Sequence, residues 1–203
     1  MDGLDLNVSR ETLEKLQVYQ QELIKWSASI NLVAKSTYDQ AWQRHIIDSA
    51  QLFQHWHHKD SRWADFGSGG GLPGIVLAII GKEQAPDTKF HLLESDQRKS
   101  AFLRKMTTSF ALNCQVISQR IEATPPISAD AVTARAFAPL PKLIELAMPH
   151  INGNGRLVLL KGRSASQEIE EAKQSWDFDV ETFPSLTDSE AKILEIKNIV
   201  SKK

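Results

Sequence analysis

Apolar residues recur at three- and four-residue spacing through Leu13, Leu16, Leu23, Trp26 and Ile30, with charges between them. That period predicts an amphipathic helix, with Ser9 as its N-cap. Residues 38–56 repeat the pattern through Trp42, Ile46, Ile47, Ala50, Leu52 and Phe53 and predict a second helix. From Arg62 the pattern changes. The runs "RWADF", "KFHLLE", "CQVIS", "DAVTA" and "GRLVLLK" read as short strands, and helical stretches at 72–81, 97–112 and 139–150 lie between most of them. Such alternation predicts an α/β, Rossmann-like fold with a mostly parallel sheet. In the tail, "WDFDVETFP" and "AKILEIKNIV" are joined by the turn-rich "SLTDSE" with no helix between, which predicts an antiparallel hairpin at the sheet edge.

At 203 residues the chain fits one domain, with residues 1–60 as an N-terminal helical extension and 61–203 as the α/β core. No apolar run approaches the ~20 residues that span a bilayer, and the N-terminus is polar and acidic. A cytoplasmic protein without membrane span or secretory signal is expected. The single cysteine, Cys114 in "LNCQVI", has no positive neighbour to activate it and reads as a small buried hydrophobe. A net charge of −1 argues against general polyanion binding, so any nucleic-acid partner must meet a local basic patch or a preformed shape.

The candidate chemistry centres on "WADFGSGGGLPGIVLAII", where a strand turns into a helix through a nearly bare backbone. Glycines there permit close approach of a ligand, and Pro73 suits the first turn of the helix. Gly69, Gly71 and Gly74 satisfy G-x-G-x-x-G, the dinucleotide fingerprint. Alternatively, Asp65 stands two residues ahead of Gly67, Gly69 and Gly71 as in class I methyltransferases, which bind S-adenosylmethionine (SAM). A carboxylate at the strand end serves a pyrophosphate poorly and favours the ammonium and sulfonium of SAM. Glu94, ending the next strand, suits ribose hydroxyls in either cofactor. Charge and the C-terminal hairpin favour SAM, and NAD stays as the alternative.

In order and spacing, "INLVA", "RHIIDSA", "DFGSGGGLPGIVLAI", "LLESDQRKSAFLR", "QRIEA", "VTARAFAPL" and "LVLLKG" resemble the RsmG (GidB) family of small-subunit ribosomal RNA methyltransferases. The first thirty and last forty residues match it only loosely. The resemblance implies a class I SAM-dependent methyltransferase fold and methyl transfer to N7 of a guanine in the 530 loop of 16S rRNA. It implies cofactor contacts from Gly67, Leu72, Ile121 and Glu122, with Arg135 reaching the cofactor or the reaction site, beside Gly69 and Glu94 from the reading of the loop itself. The expected partner is 16S rRNA or the small ribosomal subunit, bound by a monomer without metal or membrane. Another RNA or a small molecule as methyl acceptor is the alternative. Gly70, where relatives carry Ala or Pro, is expected not to matter to contact.

Guanine N7 has a free lone pair and no proton to remove, so the chemistry needs alignment more than a base. Arg135 and Lys161, both at strand ends, are the candidate catalytic residues, as donors to guanine O6. The adenine-N6 motif [DNS]-P-P-[YFW] is absent after the fourth strand, and "TPPI" precedes that strand. "HWHHKD" at 55–60 lacks a second ligand pair and reads as a helix end where His and Lys oppose the dipole. Arg44 and His45 are read equally as phosphate contacts or as partners of Asp48. Arg98, Lys99, Arg104 and Lys105 read as a solvated helix face, with RNA contact as the second reading.

Overall fold

The computed structural model describes residues 7–202; the first six residues of the expected extension lie outside them. A seven-stranded sheet runs β3-β2-β1-β4-β5-β7-β6. Its strands are β1 Arg62–Phe66, β2 Lys89–Leu93, β3 Cys114–Ile117, β4 Ala129–Arg135, β5 Ile151–Lys161, β6 Trp176–Pro184 and β7 Lys192–Ser201. The first five are parallel, β7 runs antiparallel to β5, and β6 pairs with β7 as the expected hairpin. The chain leaves β1 toward β2 on one side and returns to β4 on the other. That reversal opens a crevice at the strand C-termini, where ligands of such sheets bind.

Helices cover both faces. On one, α5 (Leu140–Ala147) and α6 (Ala165–Ala172) bury Leu143, Ile144 and Ile169 against Phe66, Val132 and Leu159. On the other lie α1 (Arg10–Ile30), a single turn α2 (Asp48–Ala50), α3 (Gly74–Gln84) and α4 (Gln97–Ser109). Helix α3 is buried from Gly74 to Gly81 because the sheet lies on one side and α1 on the other. This explains its unbroken apolar run, since a helix hydrophobic all round is one packed all round. Ser9 caps α1 as its sequence predicts, accepting from Thr12 N–H, and its own N–H donates to Glu83 at the far end of α3 at 2.9 Å.

Three elements differ from expectation. Residues 38–56 do not form one helix but a 3-10 turn (Lys35–Gln40), a π turn (Trp42–Ile47), α2 and a second 3-10 turn (Gln51–His55). The widened π ladder lets Asp48 N–H bond to Gln43 O, while the Arg44 carbonyl accepts from Arg135 at 3.0 Å. Helix α6 was not anticipated; it buries only Ala165, Ile169 and Ala172, too short a stripe to stand out in the pattern. Strand β5 starts at Ile151, before the expected glycine, and its irregular start is taken up by a register shift opposite Ala129 and Ala131.

Candidate functional site

Two carboxylates hold the glycine loop. Glu94 Oε2 accepts from Gly69 N–H at 2.9 Å, and Oε1 accepts from Asp96 N–H at 2.8 Å. Asp65 Oδ2 accepts from Gly74 N–H, the first residue of α3, and Oδ1 from Thr133 Oγ1 on β4, each at 3.2 Å. Asp65 is only 3% exposed, and burial, offset in part by the Thr133 and Gly74 hydrogen bonds, pushes its carboxyl up to about 7. The expectation that Asp65 meets the cofactor's positive end is therefore corrected. It sits beneath the loop as a clamp joining β1, β4 and α3, with its two oxygens taken by Thr133 and the α3 N-terminus.

Above the loop lies a cavity of about 250 Å³ that gathers Gly67, Gly69, Glu94, Ile121 and Glu122, with Lys99 at its edge. Leu72 does not line it. That side chain packs into the core with Ile75, Val76 and Leu16, which leaves only the Leu72 backbone for the expected contact. Gly70 is also buried, and a Cβ there would come within 2.8 Å of Leu23 Cδ1 and 3.3 Å of Leu32 Cβ. Gly70 does not line the smaller cavity, and its bareness bears instead on the packing of α1 against the loop.

Arg135 and Lys161 lie in a neighbouring cavity of about 880 Å³, with Arg44, Asp48, Glu168 and Thr187. Arg135 does not reach the smaller cavity. Its guanidinium is held by the Arg44 carbonyl, by Asp48 Oδ2 at 3.3 Å and by His45 Nδ1. His45 is kept neutral, its pKa lowered to about 4 by burial and then by Arg135 and Arg44, while its Nε2 meets Thr37 Oγ1 at 2.7 Å. The reading of Arg44 and His45 as partners of Asp48 is corrected, since Asp48 pairs with Arg135; of the two only Arg44 is exposed and open to phosphate. Lys161 Nζ donates to Ala138 O and Glu168 Oε2, both at 2.7 Å. Burial would raise the Glu168 pKa, but Lys161, Ser164 and the Leu140 N–H outweigh it and hold the carboxyl below its usual range. Sequence reasoning missed Glu168 because α6 itself was missed.

The basic helix α4 divides. Lys99 borders the smaller cavity, whereas Arg104 bonds Ser118, and Lys105 bonds Glu22 and lies over the Trp26 ring. In "HWHHKD" the 3-10 turn ends at His55, whose Nδ1 pairs with Glu195 of β7 at 2.9 Å, a partner the sequence could not indicate. Among the described residues no group of three or more His, Cys, Asp or Glu is placed to hold a metal ion. Burial pushes the Cys114 thiol up to about 12, which makes it a poor nucleophile.

Comparison with known proteins agrees with this layout. A solved O-methyltransferase from Bacillus cereus, in complex with SAH, superposes with a TM-score of 0.60 at 12% identity, covering 89% of this chain and 91% of that one. A SAM-dependent methyltransferase from Aquifex aeolicus superposes with a TM-score of 0.59 at 12% identity, covering 89% and 98%. These likenesses show the class I methyltransferase fold. In sequence, the ribosomal RNA small subunit methyltransferase G of Cereibacter sphaeroides is 47% identical over 192 residues, 95% of this chain and 93% of that protein. The Ruegeria pomeroyi protein of the same name is 42% identical over 198 residues, covering 98% and 97%. The family model described as rRNA small subunit methyltransferase G, GidB, matches residues 12–195. With the glycine loop, the Glu94 corner and the β4 and β5 ends all inside that match, the chain belongs to the GidB family of rRNA small subunit methyltransferases.

Proposed function

We propose that this chain transfers the methyl group of SAM to N7 of a guanine in the 530 loop of 16S rRNA. The observation that carries the reading is the family match over residues 12–195, which takes in the whole loop-and-strand-end site. Bound SAM supplies an electrophilic methyl on a sulfonium, and the N7 lone pair accepts it with no proton to remove.

The residues present suit that cofactor. Gly67 and Gly69 both take positive φ (65° and 54°); the Cβ side of Gly69 is open to a ligand, whereas that of Gly67 is covered by the Phe137 ring. Glu94 keeps lone pairs beyond its two loop bonds for the ribose hydroxyls. Ile121 gives the adenine an apolar wall, and exposed Glu122 stands at its rim.

In the larger cavity Lys161 and Arg135 are the donors for guanine O6. Each already has a carboxylate partner, so each is fixed in direction before the base arrives. This preorganisation is how positioned donors contribute without reorganising during reaction. Methylation leaves a positive charge on the guanine, and Asp48 and Glu168 border the same space. Exposed Arg44 at one mouth and Arg120 and Lys99 at the other are the cations for nearby phosphates. With a net charge of −1, few such contacts are available, so a presented RNA shape has to supply specificity.

The chain acts in this reading as a cytoplasmic monomer without a metal, and no described helix is long and apolar enough to cross a membrane. The test is labelled SAM offered to unmodified small subunits, naked 16S rRNA and bulk tRNA, with cleavage specific for 7-methylguanosine to locate the label. The expected result is label at one guanine of 16S rRNA. Label on tRNA, or on adenine or cytosine, contradicts the reading. Turnover that fails in chelator removes the metal-free part of it.

A further inference from the structure

Phe137 lies between the two cavities and lines both of them. The large aromatic residues Tyr19, Trp63, Phe66 and Phe102 are fully buried, yet Phe137 is 38% exposed. Its ring rests on the bare backbone of Gly67: a Cβ there would stand 2.3 Å from Phe137 Cδ2. The residue before it, Ala136, has φ +49°, a left-handed conformation that costs a non-glycine residue energy. The chain thus leaves β4 through a strained step that directs an aromatic ring out over the glycine loop. Core packing does not explain that arrangement, since burying the ring would be the favourable course.

From these observations we infer that Phe137 is the stacking platform for the target guanine, a positioning residue that sets the plane of the base at the passage between cofactor and acceptor cavities. The inference rests on the function proposed above. A base brought to such a site leaves its own stack, and an aromatic face restores part of what is lost. The ring sits next to the fixed donors: Lys161 is anchored on the carbonyl of Ala138, the next residue, and Arg135 is two residues back. Stacking fixes the plane while a donor to O6 fixes rotation within it. Together they aim N7 across Gly67 toward the smaller cavity. Small departures from that line are costly in transfer reactions.

The test compares Phe137→Leu, Phe137→Ala, Phe137→Tyr and Phe137→Trp in the full-length enzyme. Methyl transfer to unmodified small subunits is measured alongside SAM affinity by calorimetry. Leu and Ala should lose about 5- to 150-fold in kcat/KM, the range that base–aromatic stacking spans, while Tyr and Trp stay close to wild type. Because the ring also borders the cofactor cavity, SAM affinity should fall far less than methyl transfer in the Leu and Ala variants, and retained SAM binding also shows that the loop remains folded. A Leu variant as active as wild type overturns the stacking role and leaves the guanine-N7 reading intact. A loss traced wholly to SAM affinity also overturns it, making the ring a wall of the cofactor site. A wild-type enzyme that labels no guanine N7 sinks the reading on which the inference rests.

Discussion

The Tyr19 hydroxyl donates to the Gly70 carbonyl at 2.5 Å, linking the middle of α1 to the glycine loop across 51 residues of sequence. Leu23, one turn further along α1, and Leu32 meet the same glycine. The N-terminal extension is thereby a support for the cofactor loop. Burial pushes the Tyr19 pKa well above its ordinary value, so the hydroxyl stays a donor at any physiological pH. Tyr19→Phe should cost about 1–3 kcal/mol, because a buried carbonyl loses its partner. Denaturant unfolding reads that cost, and calorimetry should show weaker SAM binding. Unchanged affinity would mean the loop holds its shape without α1.

Gly70→Ala places a methyl against Leu23 Cδ1 and Leu32 Cβ. Overpacking of this kind costs about 1–3 kcal/mol, and the low end applies because Leu23 Cδ1 can swing aside. Made in a Leu23→Ala background, the same change should cost less. The coupling in the double-mutant cycle is the measurement. Strict additivity would show that the two residues do not press on each other.

Stability should depend on pH through Asp65. Its folded pKa, about 7, lies above its ordinary value of 3.8. A raised pKa contributes stability that is fully present below 3.8 and is lost as pH rises through about 7. Asp65→Asn removes that titration; its amide oxygen can accept from Gly74 N–H while its NH2 donates to Thr133 Oγ1, whose own proton goes to the Ala64 carbonyl. The variant should therefore gain on wild type between about pH 5 and pH 8 in denaturant titrations of the free enzyme. A constant difference between the two proteins across that range would show that Asp65 titrates normally.

Asp60 and Arg156 form a buried bidentate pair, with Nη1–Oδ1 3.0 Å and Nη2–Oδ2 2.7 Å, and Trp63 Nε1 also donates to Asp60. Burial would raise the Asp60 pKa, but the hydrogen bonds from Arg156, His57 N–H and Trp63 outweigh it and hold it below 3.8. A depressed carboxyl contributes stability above its ordinary pKa and loses it as pH falls through the folded value. Asp60→Ala should cost about 1–3 kcal/mol, since Arg156 loses its bidentate partner but keeps the His55 carbonyl and the Glu195 carboxylate at 3.5 Å. Chemical unfolding near neutral pH measures it, and a cost under about 1 kcal/mol would place the pair with exposed ones.

Arg135→Ala should cut methyl transfer far more than RNA binding, since the side chain faces the interior cavity. It should also loosen residues 35–55, because Arg44 O and Asp48 lose their donor. Arg135→Lys keeps the charge but cannot reproduce the planar guanidinium fork over the same partners, so an intermediate rate is expected. Single-turnover assays with binding measured in parallel separate the two effects. Equal losses in binding and transfer would place Arg135 on the outer RNA contact instead.

The sequence by itself determined the sheet and its order of elements, because buried parallel strands and their crossover helices leave separate local periods in the chain. It also located the bare loop, the acid at Glu94 and the strand ends at Arg135 and Lys161, since a turn that needs glycine and a strand that ends in a charge are local facts. Periodicity at three and four residues cannot separate α from π or 3-10 winding. The break-up of residues 35–55 therefore emerged only with Arg135, some 90 positions later, bound to the Arg44 carbonyl. Where a side chain on a strand end points is likewise set by whatever packs over it. Thr133 and Gly74 turned Asp65 inward, Glu168 on an unforeseen helix took Lys161, and α1 claimed the space beside Gly70. Such contacts join residues far apart in the chain, and their energies depend on a proximity that only the packed tertiary structure creates.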